Sequence, residues 1–192
     1  MDLIYDILMA PFEAMKLRRL RKTLLADVKG SVLEIGTGTG ANLPYLPYHN
    51  ISHLYLTDIQ LSKRVKGYAF PKHLKISVLE RPLEELELPE PSLDSVVFTL
   101  VFCSVENPSA GLEKIFKLLK PGGKIYFIEH VLPQHNRLRI LAHKFNPSWS
   151  KVASGCNLNR ETLKVILEAG FVIERHSMSL GGALIEGVAL RE

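Results

Sequence analysis

Glu34, Gly36, Gly38, Gly40 and Asp58 are the residues whose types and spacing carry chemistry in this chain. The run Val32-Leu33-Glu34-Ile35-Gly36-Thr37-Gly38-Thr39-Gly40 reads as a buried strand that breaks into a glycine-rich turn. Glycines at alternate positions let the backbone bend tightly and lie against a ligand with no Cβ between them. Open α/β sheets build a nucleotide site at such a turn after the first strand. Asp58 follows Gly40 by 18 residues. It falls at the end of the next predicted strand, where an acid takes ribose hydroxyls.

Two ligands suit this arrangement. Gly36-Thr37-Gly38-Thr39-Gly40-Ala41 fits the G-x-G-x-x-A pattern of a dinucleotide site, which makes an NAD(P)-dependent oxidoreductase one reading. Glu34 opposes it by placing negative charge beside a pyrophosphate. Pro44 opposes it by spoiling a long helix whose N-terminus would bind phosphate. There is also no obvious second domain to hold a hydride acceptor. S-adenosylmethionine has no phosphate and carries a sulfonium and an ammonium group, so a carboxylate at the end of strand 1 suits it. A non-catalytic S-adenosylmethionine-binding or membrane-surface module is the remaining alternative.

The elements that must position these residues follow from periodicity. Strands are expected at 31–36, 52–58, 74–79, 94–100 and 124–130, with Pro121-Gly122-Gly123 turning the chain into the fifth. Two closing strands, 171–178 and 184–190, flank Gly181-Gly182 and must pair antiparallel. A helix over 108–119 places Leu112, Ile115, Phe116 and Leu119 on one face. Further helices are expected over 60–68 and 160–169, the latter ending at Gly170. Any helix after the glycine turn is short, because Pro44 and Pro47 interrupt it. Residues 133–158 are poorly periodic. Residues 2–26 read as helical, broken or kinked at Pro11, with Leu3, Ile4, Ile7 and Leu8 clustered at helical spacing. Alternating strands and helices imply an α/β, Rossmann-like, seven-stranded mixed sheet with an antiparallel C-terminal pair and helices on both faces.

With 192 residues, the chain is expected to be a single domain, 1–192, with an N-terminal helical cap over 1–30 and a core over 31–192. Its net charge of +4 is too small to imply nucleic acid. Much of the excess sits in Lys16, Arg18, Arg19, Arg21 and Lys22, a cluster that could meet anionic lipid weakly but reads first as the solvated face of a capping helix. Cys103 and Cys156 give no disulfide framework and no metal-ligand spacing, so no metal is expected. Together with the lack of a signal peptide or a spanning segment, they point to the cytoplasm. Nothing in the sequence fixes an oligomeric state.

The motifs resemble a known family. Glu34-x-Gly36-x-Gly38-x-Gly40 is similar to motif I of class I S-adenosylmethionine-dependent methyltransferases. Leu118-Leu119-Lys120-Pro121-Gly122-Gly123-Lys124-Ile125 resembles their helix-to-strand-5 signature, and Pro89-Glu90-Pro91-Ser92-Leu93-Asp94 the approach to their strand 4. More narrowly, Thr99-Leu100-Val101-Phe102-Cys103-Ser104-Val105, Glu129-His130-Val131 and Gly155-Cys156-Asn157-Leu158 resemble the small methyltransferase-like group that includes alkyl-thiol S-methyltransferases.

The resemblance implies methyl transfer from S-adenosyl-L-methionine to a small-molecule acceptor, a thiol among the candidates, leaving S-adenosyl-L-homocysteine. It implies that Gly36, Thr37, Gly38 and Gly40 wrap the methionine part of the cofactor and that Glu34 holds its ammonium. Asp58 would take the ribose hydroxyls, with Ile59 and Gln60 beside it. Leu83 N–H and Glu84 or Glu80 would meet the adenine, although Pro82 stands where the family usually has an acid. Thr99 and Leu100 would face the methionine moiety. His130, with Glu129 second, is the candidate base at the carboxyl end of strand 5. Trp149 and Phe145 could wall an apolar acceptor pocket. Cys103 reads as a small buried hydrophobe, and His135 and His143 lack partners for a metal.

Overall fold

The computed structural model describes residues 16–192. The expected helix from residue 2, with Pro11 and the Leu3–Leu8 cluster, lies outside the described residues as far as residue 15. Within them, α1 spans Arg18–Leu24. The strands are β1 (Gly30–Ile35), β2 (Ile51–Asp58), β3 (Lys75–Glu80), β4 (Leu93–Thr99), β5 (Leu119–His130), β6 (Val172–Ser179) and β7 (Leu184–Leu190). They form one sheet in the order β3-β2-β1-β4-β5-β7-β6. The first five run parallel, and β7 lies antiparallel to both β5 and β6. The mixed sheet and its antiparallel closing pair are those expected.

Strand alternation gives each face its own core. Leu33, Val96, Phe98 and Phe127 pack with α3 (Pro108–Leu118) and α5 (Thr162–Glu168) through Leu112, Ile115 and Ile166. Val32, Leu54, Leu56, Val97 and Ile128 pack with Leu17, Leu24 and Leu25 in and around α1. With both faces covered, β1 and β4 read as nearly continuous apolar runs. Glu34 interrupts β1 on the Val32 face, so it points toward α1. The order reverses between β1 and β4, and the site should lie above the carboxyl ends there.

Four expectations change. The helix expected over 60–68 is only α2 (Lys63–Lys66), started by Ser62 Oγ accepting from Val65 N. Gly67 ends it. Pro121-Gly122-Gly123 does not precede strand 5 but lies within β5 as a register shift between the Leu93–Leu119 and Ser95–Lys124 pairs. The poorly periodic stretch contains a 17-residue helix, α4 (Asn136–Val152), with Pro147 inside it. Its apolar side chains Ile140, Leu141, Phe145 and Val152 are exposed, and Ala142 alone is buried. Leu138, Leu141, Ala142, Phe145 and Trp149 do recur at helical spacing, with Pro147 as the one interruption. The basic cluster is not wholly solvated either, because Arg21 is buried on the stripe of α1 formed by Leu17, Leu24 and Leu25.

The last turn of α3 has carbonyls without helical partners. Arg191 Nη1 donates to Phe116 O at 2.6 Å, Leu119 O at 2.5 Å and Lys117 O at 3.2 Å, and its guanidinium sits 4.7 Å over the Phe116 ring. It thereby fixes the step from α3 into β5. Arg191→Met should lower unfolding free energy in urea by about 2 kcal/mol. Unchanged stability would remove Arg191 from this role.

Candidate active site

Glu34 is fully buried at the end of β1. Asn42 Nδ2 donates to Glu34 Oε1 at 3.0 Å and also lies 3.1 Å from Thr99 Oγ1. Arg21 Nε donates to Asn42 Oδ1 at 2.8 Å. One hydrogen-bonded chain thus joins α1, the segment after the glycine turn, β1 and the end of β4. Glu34 Oε2 is buried and has no hydrogen-bond partner. Burial pushes the Glu34 carboxyl up to about 7, although Asn42 and then Arg21 pull it down, while Asp58 raises it. An unmatched buried carboxylate oxygen is costly. A cationic N–H donor set against Oε2 would relieve that cost through charge-assisted bonds, so the site fits the ammonium of S-adenosylmethionine.

The turn is built for close approach. Gly36, Gly38 and Gly40 hold φ of 65°, 55° and 78°, the left-handed region that favours glycine. A Cβ on Gly36 would lie 2.4 Å from Val101 Cγ2 in the segment after β4. Thr37 N donates to Thr57 O at 3.1 Å, and its hydroxyl also approaches that carbonyl. Gly38 N donates to Asp58 Oδ2 at 2.8 Å, and Gln60 N to Asp58 Oδ1 at 3.0 Å. Asp58 therefore ties the turn to the loop after β2, and each oxygen keeps acceptor capacity for a hydroxyl. Ile59, next to it, is 75% exposed, an apolar side chain left at the rim.

After β3 the candidates separate. Leu83 is buried in a single 3-10 turn, Leu83–Glu85, where its side chain packs toward Gly111. Glu84 is exposed, and its carbonyl accepts from Lys114 Nζ. Glu80 accepts from Lys66 Nζ at 2.8 Å and from Leu61 N at 3.2 Å. Each Glu80 oxygen keeps acceptor capacity, so Glu80 and Glu84 both remain candidates toward the adenine amine.

The carboxyl ends of β4 and β5 make a second buried group. Glu129 is fully buried. Its Oε1 accepts from Val101 N at 2.8 Å and Phe102 N at 3.1 Å, and its Oε2 from Cys103 N at 3.1 Å. Burial raises this carboxyl to about 7 against the pull of those three bonds. This geometry makes Glu129 a brace for the loop after β4, with Leu100 at φ 58° where that loop leaves the strand. His130 Nδ1 lies 3.3 Å from Cys156 Sγ. The side-chain ligand atoms of Cys103, His130 and Cys156 all fall within 4.8 Å of one another. The contact between the two thiols raises Cys103 and lowers Cys156, and His130 lowers Cys156 further. Trp149 packs on this cluster, whereas Phe145 is 56% exposed and walls nothing there. His135 and His143 are exposed.

Sequence reasoning missed Arg21 and Asn42 as site residues. Arg21 carried one signal, a cation on the apolar stripe of its helix. Asn42 carried none, since its role depends on where Pro44 and Pro47 send the chain. After the glycine turn only 3-10 turns form, at Leu43–Tyr45 and Tyr48–Asn50. No helix N-terminus follows there to hold a pyrophosphate.

Residues 9–176 match the family described as Methyltransferase domain. The rat thiol S-methyltransferase TMT1B is 34% identical over 156 residues, covering 77% of this chain and 64% of that protein. Human thiol S-methyltransferase TMT1B is 31% identical over 175 residues, covering 85% and 72%. The chain thus spans a little under two thirds of the rat relative's length. In fold, it is similar to an S-adenosylmethionine-dependent methyltransferase from Mesorhizobium loti, with a TM-score of 0.69, 19% identity and coverage of 91% and 96%. Nothing among these relatives supports a nicotinamide enzyme.

Glu34 gives a pH signature. Its folded pKa is raised from 4.5 to about 7, so the folded state binds this proton more tightly than the unfolded chain. The stability it contributes when protonated is lost as pH rises from 4.5 through about 7, a few kcal/mol at most at roughly 1.4 kcal/mol per unit. In the cofactor-free protein, Glu34→Gln should therefore flatten the fall in melting temperature between pH 5 and 8 while weakening S-adenosylhomocysteine binding at least about tenfold. Parallel pH curves for the two proteins would contradict this account.

Proposed function

The chain belongs to the class I S-adenosylmethionine-dependent methyltransferases, and we propose from that premise that it methylates the sulfur of a small, apolar thiol. The observation that carries the donor is the unpartnered, buried Oε2 of Glu34 beside the glycine turn. The thiol acceptor is supported by the names of the mammalian relatives, thiol S-methyltransferases, and by the resemblance of the segments around Cys103, His130 and Cys156 to that group.

When bound, S-adenosylmethionine supplies an electrophilic methyl group on a sulfonium. Glu34 would neutralise the ammonium, and Asn42 holds the Glu34 carboxylate in place through Oε1. The glycine turn would let the backbone close on the methionine moiety, while Thr99 and Leu100 line its far side. Asp58 would fix the ribose, with Ile59, Leu83 and Glu84 toward the base. Positioning supplies much of the rate of an in-line displacement, because a bimolecular encounter becomes effectively intramolecular.

The acceptor reacts as a thiolate, and a free alkyl thiol has a pKa near about 8.5. Glu129 is engaged by three backbone N–H groups and His130 faces Cys156. Neither stands as a lone base. Cys103 and Cys156 are both free thiols, which suits a reducing, cytoplasmic setting. No helix among the described residues is long and apolar enough to cross a membrane.

The test offers methyl-labelled S-adenosylmethionine with a panel of alkyl thiols, phenols and amines, alongside calorimetry with S-adenosylhomocysteine and NAD(P). Label on thiol sulfur, with binding of S-adenosylhomocysteine and none of NAD(P), is the expected result. Transfer only to oxygen or nitrogen would overturn the thiol acceptor, and tighter binding of NAD(P) would overturn the donor.

A further inference from the structure

We propose that Cys103, His130 and Cys156 form a three-ligand site for a thiophilic divalent cation, zinc first, whose remaining coordination position takes the acceptor's sulfur. The three ligands come from separate segments: the loop after β4, the end of β5 and the loop after α4. Their spacing in sequence, 27 residues and then 26, gives no metal motif. The fold nevertheless brings one ligand atom of each within 4.8 Å of the others.

The dimensions and chemistry suit zinc. Bonds of about 2.3 Å to sulfur and about 2.0–2.1 Å to nitrogen in a tetrahedron set ligand atoms roughly 3.5 Å apart. His130 Nδ1 and Cys156 Sγ stand 3.3 Å apart. Two thiolates and an imidazole select zinc over the hard, oxygen-seeking cations. Three protein ligands with one position left for a small molecule is the pattern of a catalytic rather than a structural zinc site.

The surroundings hold the ligands in place as an outer shell should. Glu129 fixes the backbone of Cys103 and is the sequence neighbour of His130. Asn157 N and Nδ2 both donate to Cys103 O, at 2.9 and 3.1 Å, which locks the Cys156 loop onto the Cys103 loop. Cys156 N donates to Ala153 O at 2.9 Å. The partly buried Trp149 indole packs on this same cluster, and its N–H faces the Cys156 sulfur as a donor to the thiolate.

The site also answers how an acceptor thiol loses its proton. A thiol that coordinates zinc is deprotonated outright. Binding would release the protons of Cys103 and Cys156 to solvent, and the acceptor's proton on coordination, with no change of oxidation state. The role of the remaining position rests on the thiol reading above; the metal site itself does not.

The test uses the full chain, kept reduced with a phosphine, stripped with a chelator and titrated with Co²⁺ and then Zn²⁺. The expected result is stoichiometric Co²⁺ with thiolate-to-cobalt charge-transfer bands and the visible bands of a tetrahedral ion, displaced by Zn²⁺. Addition of an alkyl thiol should change those bands. Cys103→Ser and Cys156→Ser should each abolish the charge-transfer pattern, and His130→Gln should weaken metal binding at least about tenfold. S-adenosylhomocysteine binding by each variant reports that it has folded. No stoichiometric cobalt, or cobalt without thiolate bands, overturns the site. Cobalt bound normally but blind to added thiol overturns its role toward the acceptor. A zinc-loaded protein that binds a thiol yet methylates none would instead refute the proposed activity and leave the metal site standing.

Discussion

A carboxylate buried at the end of the first strand sets the terms for the rest of this protein. Glu34 lies in β1 between β2 and β4, with apolar neighbours Leu56 and Val97 in register. Burying it is unfavourable unless its charge is matched. The chain matches half of it, through Asn42 and, behind Asn42, Arg21 of α1. The other oxygen is buried without a partner, and under the proposed function it takes the cofactor's ammonium. Arg21 and Asn42 thereby couple the packing of α1 to the carboxylate.

A second buried carboxylate does the corresponding work one strand from β1's neighbour β4. Glu129 gathers three backbone N–H groups of the loop after β4, and the same loop carries Val101, against which Gly36 is packed too closely for any Cβ. The glycine turn and the Cys103–His130–Cys156 cluster are therefore mechanically joined. The glycine turn can approach its ligand only where Val101 lets it sit, and Glu129 decides where Val101 sits. Cys103 follows in the same loop and meets His130 and Cys156 through this arrangement.

Much of the fold was legible because it rests on local patterns. Strands buried on both faces announce themselves as apolar runs, and the glycines of the turn and Asp58 at the next strand's end fall where their spacing puts them. The remaining features depend on what meets in space. α4 carries Leu138, Leu141, Ala142, Phe145 and Trp149 at helical spacing, but Pro147 inside it and its exposed apolar side chains hide it. Pro121-Gly122-Gly123 reads as a turn, yet its pairing with β4 keeps it inside a strand. Arg21 looks like one of five solvent-facing cations until Asn42 is brought under it. Glu129 reads as a base because of its place at a strand end, and only the loop folded over it shows that both oxygens face backbone. Cys103, His130 and Cys156 are too far apart in sequence to suggest a cluster.

The central claim, that the free oxygen of Glu34 awaits the cofactor's ammonium, is tested most directly by a crystal structure of the complex with S-adenosylhomocysteine. The account predicts the amino nitrogen at charge-assisted hydrogen-bond distance from Glu34 Oε2, about 2.7–2.9 Å, with the Asn42 contact to Oε1 retained. An amino group turned away from Glu34, with Oε2 still unpartnered, would contradict it.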